Sequence, residues 1–306
     1  MTKILVTGGA GFIGSHIVEH FQGSAEVVVL DDLRSGYTHN IEGFDIEFIK
    51  GSITDRDIVR QAVEEVDYVF HLAAMVSVPE SVDDPRLCNE INVNGTRLLL
   101  EEAAKANVKK LVFSSSCAIY GDNPVQPKIE TMSPEPKSPY AFSKLEGERM
   151  CEECVSRGTL KAVAVRYFNV FGPRQDPNSQ YAAAIPIFIH KALRNEDITI
   201  YGDGGQTRDF IFVDDVVAAN VFMATELDVT GVYNVAYGAS QTVKEVAERI
   251  ICLTNSKSKI VYAAERAGDV KHSQACVDLI KSCGFEPAGS FDGGLKQTID
   301  FFGKMV

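Results

Sequence analysis

The first half of the chain alternates short β-branched apolar runs with amphipathic stretches. The apolar runs lie at positions 3–8, 25–31, 46–51, 67–73, 109–116 and 161–169. Amphipathic stretches of helical period separate several of them, for example at 57–65 and 95–106. Nearly continuous apolar runs are typical of parallel strands that helices cover on both faces. The pattern predicts a doubly wound parallel sheet, an α/β fold of the Rossmann type.

The second half has a looser pattern, with loops marked by proline and glycine. It contains two further apolar runs and two helical stretches, at 208–213, 231–236, 242–253 and 294–302. These elements predict a second, smaller mixed α/β domain. We place the first domain at 1–172 and the second at 173–306, and we expect the chain to return to the large sheet at about 210–236.

Composition and charge narrow the possible partners. The 306 residues are 45% hydrophobic, which is enough for a large core. A net charge of -12 argues against nucleic acid, because phosphate contacts need clustered Lys and Arg. Seven scattered cysteines without an apolar leader predict reduced thiols in the cytoplasm. No apolar run approaches the ~20 residues of a membrane span, so no membrane partner is expected.

The first predicted strand runs into the sequence TGGAGFIG, with glycines at Gly8, Gly11 and Gly14. Closely spaced glycines let the backbone turn sharply and let a pyrophosphate approach the start of the next helix. Asp31 ends the second strand, where a carboxylate accepts hydrogen bonds from adenosine ribose hydroxyls. The context predicts a dinucleotide site, and because Asp31 would repel a 2′-phosphate, it favours NAD over NADP.

The segment SPYAFSK places Tyr140 and Lys144 four residues apart in a helical stretch. Such residues share one helix face, so the ammonium of Lys144 is expected to favour the phenolate of Tyr140, whose ordinary pKa is ~10. The serine run that ends the fifth strand offers Ser116 as a third hydroxyl. A surface tyrosine beside a solvated lysine is the alternative. The combination with a dinucleotide turn predicts Ser116, Tyr140 and Lys144 as catalytic residues.

These motifs resemble those of a known family. Ser116, Tyr140 and Lys144 beside a dinucleotide turn are similar to the short-chain dehydrogenase/reductase superfamily. The whole chain resembles its extended branch, the nucleotide-sugar epimerases and dehydratases, and most of all the UDP-glucose and UDP-N-acetylglucosamine 4-epimerases. The motifs are VTGGAGFIGSHIVEHF, HLAAMVSVPESVDDP, NVNGT, SSSCAIYGD, SPYAFSKLEGE, RYFNVFGPRQDP, IYGDGGQTRDFIFVDD and RAGDVKHS. The resemblance implies NAD as cofactor, bound by the first domain, and a UDP-sugar as substrate, bound by the second.

The resemblance also implies which residues contact the ligands. Arg208 and Arg266 would hold the diphosphate, which a planar guanidinium suits. Asn169 would contact the diphosphate or the sugar, and Tyr201 would lie on the uracil ring. The implied cofactor contacts are Gly8, Gly11, Phe12, Ile13, Gly14, Asp31, Asp32, Ser52, Ile53, Leu72, Ala73, Ala74, Asn92, Ser114, Tyr140, Lys144, Tyr167 and Phe168. The implied substrate contacts are Ser77, Ser116, Asn169, Ala183, Ile185, Tyr201, Arg208, Arg266, Asp269 and Ser273.

The residues after Ser116 favour one reaction. In the family's 4,6-dehydratases and decarboxylases acids follow the active-site serine or threonine, whereas Cys117 and Ala118 stand here. Elimination is therefore disfavoured. We expect 4-epimerisation through a transient 4-keto sugar, interconverting UDP-glucose and UDP-galactose. A UDP-glucuronate 4-epimerase or decarboxylating relative is an alternative, and a catalytically idle NAD-binding sensor is a distant one.

One position bears on substrate size. In the family, the residue at the place of Ser273 controls the room around the C2 substituent of the sugar. Because Ser273 is small, UDP-N-acetylglucosamine and UDP-N-acetylgalactosamine are expected substrates too. Val76 stands where the subgroup that prefers acetylated sugars carries glycine, which leaves the preference open.

Assembly and metal content complete the expectations. The resemblance implies a homodimer through a four-helix contact of residues 86–105 and 143–157. The sequence CEEC at 151–154 has metal-site spacing. It falls within the helix that begins near Tyr140 and has no second cysteine pair, so no metal is predicted.

Overall fold

Seven parallel strands form the main sheet of the computed structural model, which describes residues 1–177, 183–265 and 271–305. The strands of the described chain, in sequence order, are Lys3–Thr7 (β1), Glu26–Asp31 (β2), Glu47–Lys50 (β3), Tyr68–His71 (β4), Lys110–Ser116 (β5), Ala162–Tyr167 (β6), Val170–Phe171 (β7), Ile198–Tyr201 (β8), Thr207–Asp209 (β9), Ile211–Phe212 (β10), Gly231–Val235 (β11), Ser240–Thr242 (β12) and Ile260–Ala263 (β13). The main sheet has the order β11-β6-β5-β4-β1-β2-β3, with every pair parallel. The predicted doubly wound sheet is confirmed.

Helices cover both faces of this sheet. The α-helices of the described chain are Phe12–His20 (α1), Arg56–Ala62 (α2), Val78–Asp83 (α3), Pro85–Asn89 (α4), Thr96–Lys105 (α5), Pro139–Ser156 (α6), Ala184–Leu193 (α7), Val213–Thr225 (α8), Val243–Leu253 (α9), Asp278–Ser282 (α10) and Phe291–Gly303 (α11). Ile4 and Val6 of β1 pack into one apolar cluster with α1 and α8, while Leu5 packs into the other with α2 and α5. This two-sided burial explains why the strands are apolar at successive positions.

The second half builds three two-stranded sheets, β7 with β10, β8 with β13, and β9 with β12. A third apolar cluster, which includes Phe171, Phe212 and Phe291, joins the first two of these sheets to α7, α9 and α11. The single apolar run at 208–213 is divided among β9, β10 and the first residue of α8. The division between domains at residue 172 stays a prediction.

The last strand of the main sheet comes from the second half of the chain. β11 pairs with β6 in parallel, with Gly231 opposite Val163 and Val235 opposite Tyr167. Strand order reverses between β1 and β4, which are adjacent in the sheet and distant in sequence. In open α/β sheets such a switch point opens a crevice at the carboxyl ends of the strands, where ligands bind.

The helices of the described residues were compared with what a membrane span requires. Within the described residues, none combines the length and the apolar character that a membrane crossing requires.

Candidate active site

The glycine turn after β1 leaves no room for side chains. Gly8 has φ +73, and a Cβ there would lie 2.7 Å from the backbone nitrogen of Ala73. A Cβ on Gly14 would lie 2.2 Å from the carbonyl oxygen of Gly8. Gly11 caps α1, whose first N–H groups have no partners within the helix and favour an anion. The turn therefore fits the pyrophosphate of a dinucleotide.

Asp31 stands at the carboxyl end of β2 beside this turn. Its two carboxylate oxygens accept hydrogen bonds from the N–H groups of Ala10, at 2.9 Å, and Leu33, at 2.8 Å. Burial raises the pKa of Asp31, and the two N–H donors oppose that rise. Each carboxylate oxygen keeps a further lone pair for a ribose hydroxyl. Asp32 is exposed and accepts a hydrogen bond from the N–H of Arg34 at 3.0 Å.

Further cofactor candidates lie after the neighbouring strands. Those after β3 and β4 are Ser52, Ile53, Leu72, Ala73 and Ala74. Ile53 and Phe168 are almost wholly buried, so their side chains do not reach a ligand. The hydroxyl of Tyr167 bonds to Ser114 at 3.0 Å and to Asn220 at 2.8 Å. Tyr167 and Ser114 therefore support the strands beneath the site.

The three predicted catalytic residues come together. Ser116 ends β5, while Tyr140 and Lys144 lie in the first turns of α6, whose N-terminus is capped by Ser138. The hydroxyl of Ser116 lies close enough to the phenol of Tyr140 to favour its phenolate. The ammonium nitrogen of Lys144 lies 5.8 Å from the ring centroid of Tyr140 and donates to the carbonyl of Ser114 at 2.8 Å. The site thus brings a hydroxyl, a phenol and an ammonium group together at the end of one strand.

The electrostatics of the pair differ from the sequence prediction. Burial raises the pKa of Tyr140 to about 12, although the nearby hydroxyl of Ser116 opposes the rise. Burial also lowers the pKa of Lys144 to about 8. Because burial penalises both charged forms, the pKa of Tyr140 lies above its ordinary value, and the role of Lys144 in favouring the phenolate stays a prediction.

The backbone around Tyr140 is held by side chains from a π-helical segment and from α3. Asn92, in the segment Glu90–Gly95, bonds both backbone groups of Met75 and donates to the hydroxyl of Ser143 at 2.9 Å. Ser143 donates to the carbonyl of Tyr140 at 2.7 Å, and Ser81 accepts from its N–H at 3.1 Å. The sequence analysis did not identify Ser81 or Ser143. Ser143 could have been found from its position three residues after Tyr140 on the same helix, whereas no local signal indicated Ser81.

The predicted nucleotide contacts gather around β9. The side-chain amide of Asn169 donates to the carbonyl of Asp209 at 2.9 Å. The N–H of Ser273 donates to the carbonyl of Thr207 at 3.1 Å, which places Ser273 beside the neighbouring Arg208. The structure therefore brings Asn169, Arg208 and Ser273 into one region.

Cys117 links this region to the catalytic residues. Burial raises the pKa of its thiol to about 11, and the charge of Arg208 opposes the rise. The thiol is protonated at neutral pH, as suits a small packing residue. Arg208 therefore lies near the residue that directly follows Ser116.

The remaining substrate candidates are more scattered. Tyr201 ends β8 and is partly exposed. Ser77 caps α3 and accepts a hydrogen bond from the N–H of Glu80 at 3.1 Å. Ala183 caps α7, while the side chain of Ile185 is buried in the third apolar cluster and cannot contact a ligand. Arg266 and Asp269 lie outside the described residues.

Comparison with known proteins adds a family to this geometry. The profile of the NAD dependent epimerase/dehydratase family matches residues 4–236. The chain is 36% identical over 97% of its length to a putative UDP-glucose 4-epimerase of Methanocaldococcus jannaschii, of which it covers 97%. It is also 34% identical over 98% of its length to a UDP-N-acetyl-alpha-D-glucosaminuronate decarboxylase of Bacillus cytotoxicus, of which it covers 97%.

Solved structures of the same kind superpose closely. A UDP-N-acetylglucosamine 4-epimerase from Methanobrevibacter ruminantium, in complex with UDP-N-acetylmuramic acid, has a TM-score of 0.96 at 41% identity, with 100% of this chain and 99% of that one covered. A UDP-glucose 4-epimerase from Thermotoga maritima with UDP-glucose has a TM-score of 0.95 at 40% identity, with 99% of each chain covered. A Thermus thermophilus UDP-glucose 4-epimerase complexed with NAD has a TM-score of 0.91 at 37% identity, with 100% of each chain covered.

The crowding at Gly14 gives a first prediction. Gly14→Ala should force the turn to shift, destabilise the protein by about 1–3 kcal/mol and lower its NAD content. NAD can be released by denaturation and quantified, alongside a thermal melt. Gly303→Ala is the control, because nothing lies within 4 Å of a Cβ there. Full NAD content in Gly14→Ala would contradict the assigned role of the turn.

The buried ammonium of Lys144 gives a prediction on pH. Its pKa is lowered from 10.5 to about 8, so the unfolded chain holds the proton more tightly and the charge destabilises the fold below pH 8. Lys144→Met should therefore raise the free energy of unfolding by up to about 3 kcal/mol at pH 7. The loss of the hydrogen bond that Lys144 donates reduces this increase by an amount that does not depend on pH. The gain should fade as the pH rises from 8 to 10.5.

Denaturant unfolding of nucleotide-free protein at a series of pH values would measure this difference. The wild-type protein provides the reference at each pH. A difference between the two proteins that does not change from pH 7 to 10.5 would mean that Lys144 is not desolvated as described.

Proposed function

This chain belongs to the NAD dependent epimerase/dehydratase family, and within it we propose that the protein is a 4-epimerase of UDP-hexoses. One observation carries the proposal. Ser116, Tyr140 and Lys144 form one site, while the two residues after Ser116 are Cys117 and Ala118 and supply no acid for elimination. A site with a base but no additional acid suits oxidation and reduction at a single carbon.

The residues divide the work of proton transfer. The glycine turn and Asp31 would hold NAD, which when bound would supply reversible hydride transfer at C4 of the sugar. Tyr140, as phenolate, takes the proton from the C4 hydroxyl and gives it back in the second half of turnover. Ser116 shares that hydrogen bond and orients the hydroxyl. Because burial raises the pKa of Tyr140 to about 12, the phenolate depends on positive charge that the loaded site supplies.

The nucleotide anchors the substrate while the sugar moves. Arg208 and Asn169 would bind the diphosphate, and Tyr201 would stack on the uracil. Arg266 would be a second diphosphate ligand. Binding energy from these contacts, which lie away from the reacting carbon, holds C4 near Tyr140 without fixing the sugar itself. The keto sugar can then turn about its diphosphate linkage and present its other face.

The substrate range follows from the small residue Ser273. Because its side chain is small and it lies beside Arg208, we propose UDP-glucose, UDP-galactose and their N-acetylated counterparts as substrates. The relative solved with UDP-N-acetylmuramic acid supports a roomy sugar site. UDP-glucuronate is the alternative substrate, since one relative is a decarboxylase of a UDP-linked uronic acid and another is a UDP-glucuronic acid 4-epimerase.

The assembly and location remain predictions as well. We propose a homodimer through residues 86–105 and 143–157, which light scattering of the purified protein would test. A cytoplasmic location is likewise a proposal.

A direct assay tests the function. Purified protein is incubated with each of the four UDP-hexoses and with UDP-glucuronate, and products are resolved by chromatography and mass spectrometry. An isomer of unchanged mass is expected, whereas loss of carbon dioxide or water would overturn the proposal. Tyr140→Phe should keep bound NAD and lower kcat by about 100- to 10,000-fold. Tyr262→Phe, an exposed tyrosine in β13, is the matched control and should not change kcat.

Ser273→Tyr tests the size gate. The larger side chain should abolish turnover of the two N-acetylated substrates and spare UDP-glucose, because only the C2 substituent differs between them. The ratio of kcat/KM for the two substrate classes is the measurement. Equal loss of both activities would remove the gate and leave the epimerase assignment untouched.

A further inference from the structure

The catalytic face of α6 continues one turn beyond Lys144. Tyr140, Lys144 and Glu148 are spaced four residues apart and lie on one side of the helix. Each meets a serine of β5. Tyr140 lies beside the hydroxyl of Ser116, Lys144 donates to the carbonyl of Ser114 at 2.8 Å, and Glu148 accepts from the hydroxyl of Ser115 at 2.6 Å.

Glu148 is held on its other side by Arg166. The guanidinium makes two bonds of 2.8 Å, from Nε to Oε1 and from Nη2 to Oε2. Arg166 is the direct neighbour of Ser115 across the β5–β6 pair. Both charged side chains are only 4% exposed. The guanidinium also lies 4.8 Å from the ring centroid of Tyr120, so its orientation is fixed on several sides.

We propose that Glu148 and Arg166 are positioning residues, which fix the register of α6 on β5 and thereby set the contact between Tyr140 and Ser116. The inference rests on the proposed function. The carboxylate of Glu148 accepts hydrogen bonds from the hydroxyl of Ser115 and from the guanidinium of Arg166 on the next strand. Ser115 directly precedes Ser116. A slide or rotation of α6 would break three directional bonds at once.

Stability alone does not require this pair. Breaking a buried ion pair is strongly destabilising, yet replacing both partners by apolar residues of similar size is often neutral or stabilising. Apolar packing would hold the helix against the sheet without fixing its position along the strand. The bidentate geometry supplies direction that apolar packing lacks.

The experiment separates positioning from stability. Three variants are compared as holoenzymes with the wild type: Glu148→Gln, the double variant Glu148→Leu with Arg166→Met, and Glu102→Gln as control. Glu102 is an equally buried carboxylate on α5, bonded to Arg56 and Lys105 and outside the catalytic face. Melting temperature, bound NAD, kcat, KM and the pH profile of kcat are measured for each protein.

The double variant is expected to melt near the wild-type temperature and keep its NAD and KM, with kcat lower by about 10- to 100-fold because Tyr140 and Ser116 no longer align. Glu148→Gln keeps the shape of the side chain, so its kcat should fall less than that of the double variant, and the pH profile of its kcat should shift. Glu102→Gln should lower the melting temperature and leave kcat unchanged.

Wild-type kcat in a folded double variant overturns the proposal. If the double variant does not fold, Glu148→Gln is the test. A wild-type kcat and an unchanged pH profile in Glu148→Gln would then overturn the proposal. Failure of the proposed function is distinct, since the wild type itself would then convert none of the UDP-sugars.

Discussion

The hydrogen-bonded contact between one face of α6 and the serine run that ends β5 is the interaction on which the site depends. Tyr140 reaches Ser116, and Lys144 donates to the carbonyl of Ser114. The strand is buried on both faces and paired on both edges, so it is a rigid support. Catalytic groups on such elements are held more precisely than groups on loops.

Burial is the second constraint, because it disfavours both the negative charge of a Tyr140 phenolate and the positive charge of the Lys144 ammonium group. Burial raises the pKa of Tyr140 to about 12 and lowers that of Lys144 to about 8. The protein by itself therefore favours a neutral phenol. A base that becomes active only in the loaded site is consistent with chemistry that needs cofactor and substrate together.

Asp209 is a buried residue that holds several segments together near the proposed nucleotide contacts. Its carboxylate accepts hydrogen bonds from the N–H groups of Tyr237, Gly238 and Ala275, which come from two separate segments. Its carbonyl accepts from Asn169. One buried residue thus joins the end of β11, the chain after β6 and the segment that follows Ser273. The residues proposed to contact the substrate are therefore positioned by hydrogen bonds of the backbone as well as by their own side chains.

The sequence by itself determined the elements and the local pairs. The strands of the first half follow from continuous apolar runs, the glycine turn from closely spaced glycines, and the shared face of Tyr140 and Lys144 from a spacing of four residues. All of these are local properties. α11 begins at Phe291, ahead of the predicted 294, because Ser290 caps it. Tertiary structure alone decided how deeply the ionisable groups are buried, and it alone formed the bond between Glu148 and Arg166. Burial and contacts across 18 or more positions depend on packing, which no local period encodes.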